Sequence, residues 1–230
     1  MKICGIQKLS LLDFPNLLAA TVFTGGCNLR CPFCHNANLV LTGAPEEIMS
    51  TNELLAFLEK RKGRLDGVCI SGGEPTLHHD LKEFIQDIRA LGYKIKLDTN
   101  GTAPDKLEEL INEGLLDYVA MDIKNSPQKY PLTCGIENMD ITNIKKSVSI
   151  LLGSGIEYEF RTTVVKELHT VEDIQDIGAW IKGANRYYLQ TFVDSGGLIA
   201  ENLHPVAPEV MGKMRDIVAK YVENAEIRGQ

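Results

Sequence analysis

No stretch of the sequence approaches the ~18 consecutive apolar residues that a bilayer-spanning helix needs. The opening residues, MKICGIQKLSLLDF, also lack the continuous apolar centre of a secretory signal. Both absences predict a cytoplasmic protein. An excess of positive charge is missing as well. Lys and Arg total 24 against 31 for Asp and Glu, a net charge of −7, which argues against the broad basic face that nucleic-acid phosphates require. There is no internal repeat and no low-complexity linker. The 230 residues, 44% of them apolar, therefore read as one domain with one substantial core. The six cysteines do not form a disulfide framework of regular spacing, because three of them lie between residues 27 and 34. That clustering fits a reducing compartment and a metal site, and Cys4, Cys69 and Cys134 read as ordinary thiols.

What is present is organised around Cys27-Asn28-Leu29-Arg30-Cys31-Pro32-Phe33-Cys34, directly after the apolar run from Leu18 to Phe23. Three thiolates on one short loop can hold three irons of a cubane [4Fe–4S] cluster, and no obvious fourth ligand stands nearby, so one iron is expected to stay open to a substrate. A zinc site would recruit His35 as fourth ligand, but Cys34 and His35 are adjacent and converge only with difficulty on a tetrahedral ion. Cys31-Pro32-Phe33-Cys34 alone is also the C-x-x-C of a thioredoxin-like redox pair, a reading that leaves Cys27 unexplained.

Along the chain, short apolar runs alternate with amphipathic segments. Strands are expected at 18–23, 67–71, 93–97, 118–123, 157–165 and 187–192. The capping-box pattern Ser50-Thr51-Asn52-Glu53 opens a helix ending near Gly63. Further helices are expected at 80–91, 104–113, 141–152, 171–181 with Thr170 as N-cap, and 208–222. Residues 1–17 read as an extended lead-in with a turn, the core as about 18–192, and 193–230 as a loop and helix. The loop 125–138 is long enough to suggest function, and 194–204 reads as an open rim or part of a lid. Six β/α units imply parallel strands with right-handed crossovers, in an open doubly wound sheet or a curved barrel. Either kind assembles its site at the strand ends.

The residues at those ends carry chemistry. Gly72 and Gly73 let a ligand approach the backbone, and Glu74 can receive an ammonium; the bland alternative is a turn. Asp98 and Asn100 can meet a ribose or a small cation, or form an Asn-Gly turn with capping partners. Asp122 and Lys124 share a face by period two and form either an ion pair or the two ends of a zwitterion site. Arg161 interrupts an apolar-leaning strand and must meet an anion. Gln190 holds a similar place on the last strand, with a core-edge hydrogen bond as its plain reading.

With CNLRCPFCHN, SGGEP, LDTNG, MDIK and RTTVV in that order, the chain resembles the glycyl-radical-enzyme activating proteins of the radical S-adenosylmethionine (SAM) enzymes. Its compact length and the stretch MDIKNSPQKY look most like activating proteins of the anaerobic ribonucleoside-triphosphate reductase. The resemblance implies an α/β fold, a partial (β/α)6 barrel. It also implies a [4Fe–4S] cluster on Cys27, Cys31 and Cys34, with S-adenosyl-L-methionine as cosubstrate. By the same resemblance Phe33 and His35 lie against the adenine, Gly72, Gly73 and Glu74 hold the methionyl amino group, and Asp122, Lys124 and Arg161 complete the pocket, with Asp98, Asn100 and Gln190 as further candidates. The implied partners are a glycyl radical enzyme and a low-potential electron donor such as flavodoxin or ferredoxin. The chain departs from pyruvate formate-lyase activators at Gln190, where those tend to carry His, and at Asp13-Phe14-Pro15-Asn16, where those carry DGPG. The rival readings are a radical SAM enzyme for a small molecule, such as a deazapurine synthase, and a non-catalytic iron–sulfur or zinc protein.

Overall fold

The computed structural model describes residues 1–41, 46–194 and 196–229. Its strands are β1 (Ile3–Ser10), β2 (Ala19–Thr24), β3 (Gly67–Gly72), β4 (Lys94–Thr99), β5 (Tyr118–Asp122), β6 (Glu157–Val164), β7 (Arg186–Thr191) and β8 (Asn224–Arg228). The helices are α1 (Ala37–Leu41), α2 (Thr51–Glu59), α3 (Leu81–Ala90), α4 (Pro104–Asn112), α5 (Tyr130–Cys134), α6 (Thr142–Gly153), α7 (Val171–Trp180) and α8 (Pro208–Val218). Strand order in the sheet follows chain order from β1 to β8. The pairs β2–β3, β3–β4, β6–β7 and β7–β8 are parallel, as helical crossovers require. The expected α/β class with six β/α units is what the chain adopts.

One compact unit comprises Met1–Asn28, Asn38–Thr99 and Ala103–Val119. Ser50 caps α2 by accepting from Glu53 N, while the Glu53 carboxylate accepts from Ser50 N at 2.8 Å, which satisfies two helix-end donors reciprocally. Leu81, Phe84, Ile85 and Ile88 recur at the helical period along α3 and are buried, as are Val68, Ile70, Ile95 and Leu97 of β3 and β4. The parallel register sets Phe23 beside Ser71 and Thr24 beside Gly72, so the chain leaves β2 and β3 side by side. The lead-in is extended and turns as expected, and it is also paired, because residues 3–10 form β1, antiparallel to β2. Gln7, Lys8 and Leu9 are all exposed, so no period-two pattern announces this strand; its pairing with β2 makes it one.

The second unit comprises Leu29–Ala37, Asn100–Thr102 and Ala120–Gln230. Thr170 and Asp173 form a second capping box at the start of α7. In β6, Tyr158, Phe160, Thr162 and Val164 share one buried face, and Glu159, Arg161 and Thr163 share the other. Two expectations change here. The loop after β5 contains α5, and the last helix stops at Val218, after which Asn224–Arg228 returns to pair with β7.

Candidate active site

In the first unit, main chain is packed on main chain where β2 and β3 end. Gly73 N donates to Thr24 O at 2.9 Å and Glu74 N donates to Gly26 O at 2.8 Å. A Cβ on Gly72, whose φ is +122°, would fall 2.2 Å from Thr24 N, and one on Gly73 would fall 1.9 Å from Gly26 O. The glycines thus serve a close approach between two protein segments, one of which delivers Cys27. Gly73→Ala is expected to lower stability by about 1–3 kcal/mol through overpacking, read as a lower midpoint in urea. An unchanged midpoint would show that the Gly26 segment yields freely.

Glu74 is fully buried, and its carboxylate accepts from Thr76 N at 3.1 Å, Thr76 Oγ1 at 2.5 Å and Thr99 Oγ1 at 2.9 Å. Asp98 accepts from Ser71 Oγ at 3.1 Å and is ion-paired with Lys96. Lys96 is itself buried and its Nζ lies 3.7 Å from Cys69 Sγ. Sequence reasoning missed Lys96, although it shares a face with Asp98 by period two. It also missed Thr76 and Thr99, which only their burial beside Glu74 reveals.

In the second unit, Cys31 and Cys34 form a tight turn, with Cys34 N donating to Cys31 O at 3.0 Å. The loop rests on α5. Arg30 N donates to Cys134 O at 2.9 Å, and a Cβ on Gly135, at φ +65°, would fall 2.3 Å from Arg30 O. Part of the long loop after β5 therefore supports the cysteines. Cys134, expected to be an ordinary thiol, hydrogen-bonds Cys31 instead. That bond lowers the Cys31 thiol most; burial opposes it and the Lys124 charge assists, leaving it at about 7. Burial pushes the Cys34 thiol up. Phe33 is buried and meets the His169 ring edge-to-face at 6.4 Å between ring centres, while His35 is exposed and meets Phe192 edge-to-face at 5.9 Å. The segment 196–204 is tied to the same loop, since Ala200 N donates to Pro32 O at 2.9 Å.

Asp122, Lys124 and Arg161 form one charged group. Lys124 Nζ donates to Asp122 Oδ2 at 2.9 Å and Arg161 Nε donates to Asp122 Oδ1 at 3.0 Å. Burial raises the Asp122 carboxyl, but the two cations more than offset it and hold it well below the usual carboxylate range. Burial likewise acts to lower the Lys124 ammonium, and Asp122, aided by Cys31, holds it well above its ordinary value. Two cations on one carboxylate leave a net positive charge, suited to a thiolate or to the carboxylate of a zwitterionic ligand. His169, which no sequence signal marked, fixes the group from behind through its Nε2 at 2.8 Å from Lys124 O. Asn100 Oδ1 accepts from Thr102 N at 3.0 Å and Thr102 Oγ1 at 2.7 Å, an Asx turn. Gln190 Oε1 accepts from Thr163 Oγ1 at 3.3 Å.

Among the described residues, no three His, Cys, Asp or Glu side chains close around a common point. The donor chemistry nevertheless suits an iron–sulfur cluster. Cys27, Cys31 and Cys34 are all free of disulfides, Cys31 is readily ionised, and the neighbouring charge is positive. No helix of the described residues is long and apolar enough to cross a membrane.

Within the second unit, the Cys31 and Cys34 thiols and the Asp122, Lys124 and Arg161 group have the donor chemistry that suits a cluster and the carboxylate of a small zwitterion. Residues 21–181 match the model of the radical SAM superfamily, and the chain belongs to that superfamily. It is a radical SAM enzyme, using a [4Fe–4S] cluster with three cysteine ligands and SAM. A protein of Methanocaldococcus jannaschii, provisionally named a glycyl-radical enzyme activating enzyme, is 34% identical over 98% of this chain and 95% of its own length. The pyruvate formate-lyase-activating enzyme of Clostridium pasteurianum is 28% identical over 81% of this chain and 85% of its own. Among solved structures, a radical SAM methyltransferase from Sphaerobacter thermophilus has the same fold, with a TM-score of 0.73 at 13% identity over 96% of this chain and 68% of the other.

Proposed function

We propose that this radical SAM enzyme activates a glycyl radical enzyme, and that the partner is an anaerobic ribonucleoside-triphosphate reductase. The observation that carries the activase reading is the end-to-end similarity to a relative named for that role, over 95% of the relative's length. The choice of reductase rests on the MDIKNSPQKY stretch and on Gln190 and Asp13-Phe14-Pro15-Asn16, which depart from the pyruvate formate-lyase activators.

In this reading Cys27, Cys31 and Cys34 hold the cluster, with the whole chain acting as one functional unit. Gly72, Gly73 and Glu74 border the methionyl amino group, and Asp98 serves the ribose. Phe33 and His35 flank the adenine. Lys124 and Arg161 receive the SAM carboxylate, and Asp122 keeps the two cations together. When bound and reduced by one electron, the cluster and SAM together supply a 5′-deoxyadenosyl radical able to take hydrogen from a glycine Cα. The chain's contribution is orientation, exclusion of water and admission of the glycine segment. A low-potential donor of the flavodoxin or ferredoxin type supplies the electron.

The test mixes anaerobic reductase, reduced protein and SAM. A glycyl doublet in electron paramagnetic resonance is expected, lost when the partner's radical glycine is replaced by alanine while the complex still forms. A doublet only with a pyruvate formate-lyase type partner would move the assignment to that partner. Consumption of a small molecule with no polypeptide radical would overturn the activase reading.

A further inference from the structure

Beyond the residues assigned so far, the second unit holds an ion pair, its carboxylate buried and its guanidinium partly exposed, for which the proposed chemistry has no use. Glu159 is 1% exposed and its two oxygens accept from Arg228 Nη1 at 2.8 Å and Nη2 at 3.0 Å. The guanidinium also lies over the ring of Tyr188, 3.2 Å from its centre. Arg228 is thus held from its edge by β6 and from its face by β7, across a register in which Gln190 pairs with it directly. Stability alone is a poor reason for this arrangement, because solvent at the partly exposed guanidinium weakens the pair, and apolar side chains of similar volume are often no less stable than an ion pair.

Its position points to function. Strand alternation and register place Glu159, Arg161, Thr163, Tyr188, Gln190 and Arg228 on one face of β6–β7–β8, while Phe160, Tyr187 and Leu189 are buried on the other. Arg161 joins this row to Asp122 and Lys124. The two ends of the row differ in charge. The Asp122 group is net positive and suits an anion, whereas Glu159 with Arg228 is neutral, so it favours a neutral polar ligand. The carboxylate takes one donor from each terminal nitrogen, and the fork has further in-plane N–H groups of the kind that pair with main-chain carbonyls. We propose that Arg228, positioned by Glu159 and Tyr188, is a substrate-recognition residue that hydrogen-bonds the main chain of the glycine-bearing segment. This inference rests on the activase reading.

The probe is a blocked heptapeptide of alanines around one central glycine, with deuterium on the glycine Cα. The variant is the double substitution Glu159→Leu and Arg228→Met, which removes both charges of the pair together. Wild-type protein is expected to move deuterium into 5′-deoxyadenosine. In the double variant the peptide KM and calorimetric Kd are each expected to rise by about tenfold or more, with kcat, SAM affinity and thermal midpoint nearly unchanged. Arg228→Lys, which keeps the charge but not the fork, is expected to raise KM as well. A variant with wild-type KM and Kd would overturn this inference alone, whether or not its midpoint falls. Absence of deuterium transfer by the wild type would overturn the activase reading and this inference with it.

Discussion

Cys31→Ala is expected to yield a protein that folds yet keeps less than roughly a tenth of its iron after anaerobic reconstitution, against about four irons and four sulfides per wild-type chain. Cys27→Ala and Cys34→Ala are expected to do the same, because removing one of three thiolates from a cluster with an open iron leaves too few ligands. Cys4→Ala and Cys69→Ala lie away from the loop in sequence and are expected to retain full iron. The outcome is read as brown colour, iron and sulfide content, and the electron paramagnetic resonance of the reduced protein. Cys31 is the most sensitive position of the three, since it is buried and touches Cys134 and the Lys124 field. A colourless protein carrying stoichiometric zinc would overturn the assignment of the thiols to iron.

Asp122→Asn is expected to destabilise the fold by about 3 kcal/mol, the lower end for breaking a buried charge pair, because Lys124 and Arg161 then lose the carboxylate they share. The lower end applies because side-chain exposure in the group runs from 14% to 29%, so water partly screens it. For a chain of this size that corresponds to roughly 6–12 °C in thermal midpoint. The pH dependence has a definite sign. A carboxyl depressed in the folded state stabilises at pH values above its unfolded pKa of about 3.9, and that stability is lost as pH falls through the interval down to the folded value. The difference between wild type and Asp122→Asn should therefore be flat between about pH 7 and 5 and shrink below about pH 4. Urea unfolding across that range is the measurement. A difference under about 1 kcal/mol at neutral pH, the scale of an exposed pair, would show that Asp122 is not the anchor of the group.

These two expectations draw on different levels of information. The identity and spacing of Cys27, Cys31 and Cys34 were visible in the sequence, and so was their place after an apolar strand. The period-two relation of Asp122 and Lys124 was visible too, but the third member of that group was legible only as an Arg in need of an anion. Its carboxylate partner lies 39 residues away, and no local pattern reports such a pairing. Phe33 shows the same limit. The residue was marked as part of the motif, while the His169 ring that meets it had no signal at all.

By itself the sequence determined the features that arise within one helical turn or one strand. The Ser50–Glu53 and Thr170–Asp173 caps, the helical stripe of α3, the alternation of β and α segments and the three thiols all follow from neighbours a few residues apart. Tertiary structure alone decided whatever depends on pairing across long loops. It turned the lead-in into β1, returned the C-terminal segment as β8, placed Thr99 against Glu74 from 25 residues away, and brought Arg228 to Glu159 from 69. The physical reason is that hydrogen-bonded pairing and desolvation of charge depend on groups meeting in space, whereas propensity and periodicity record only what each segment prefers before it meets them.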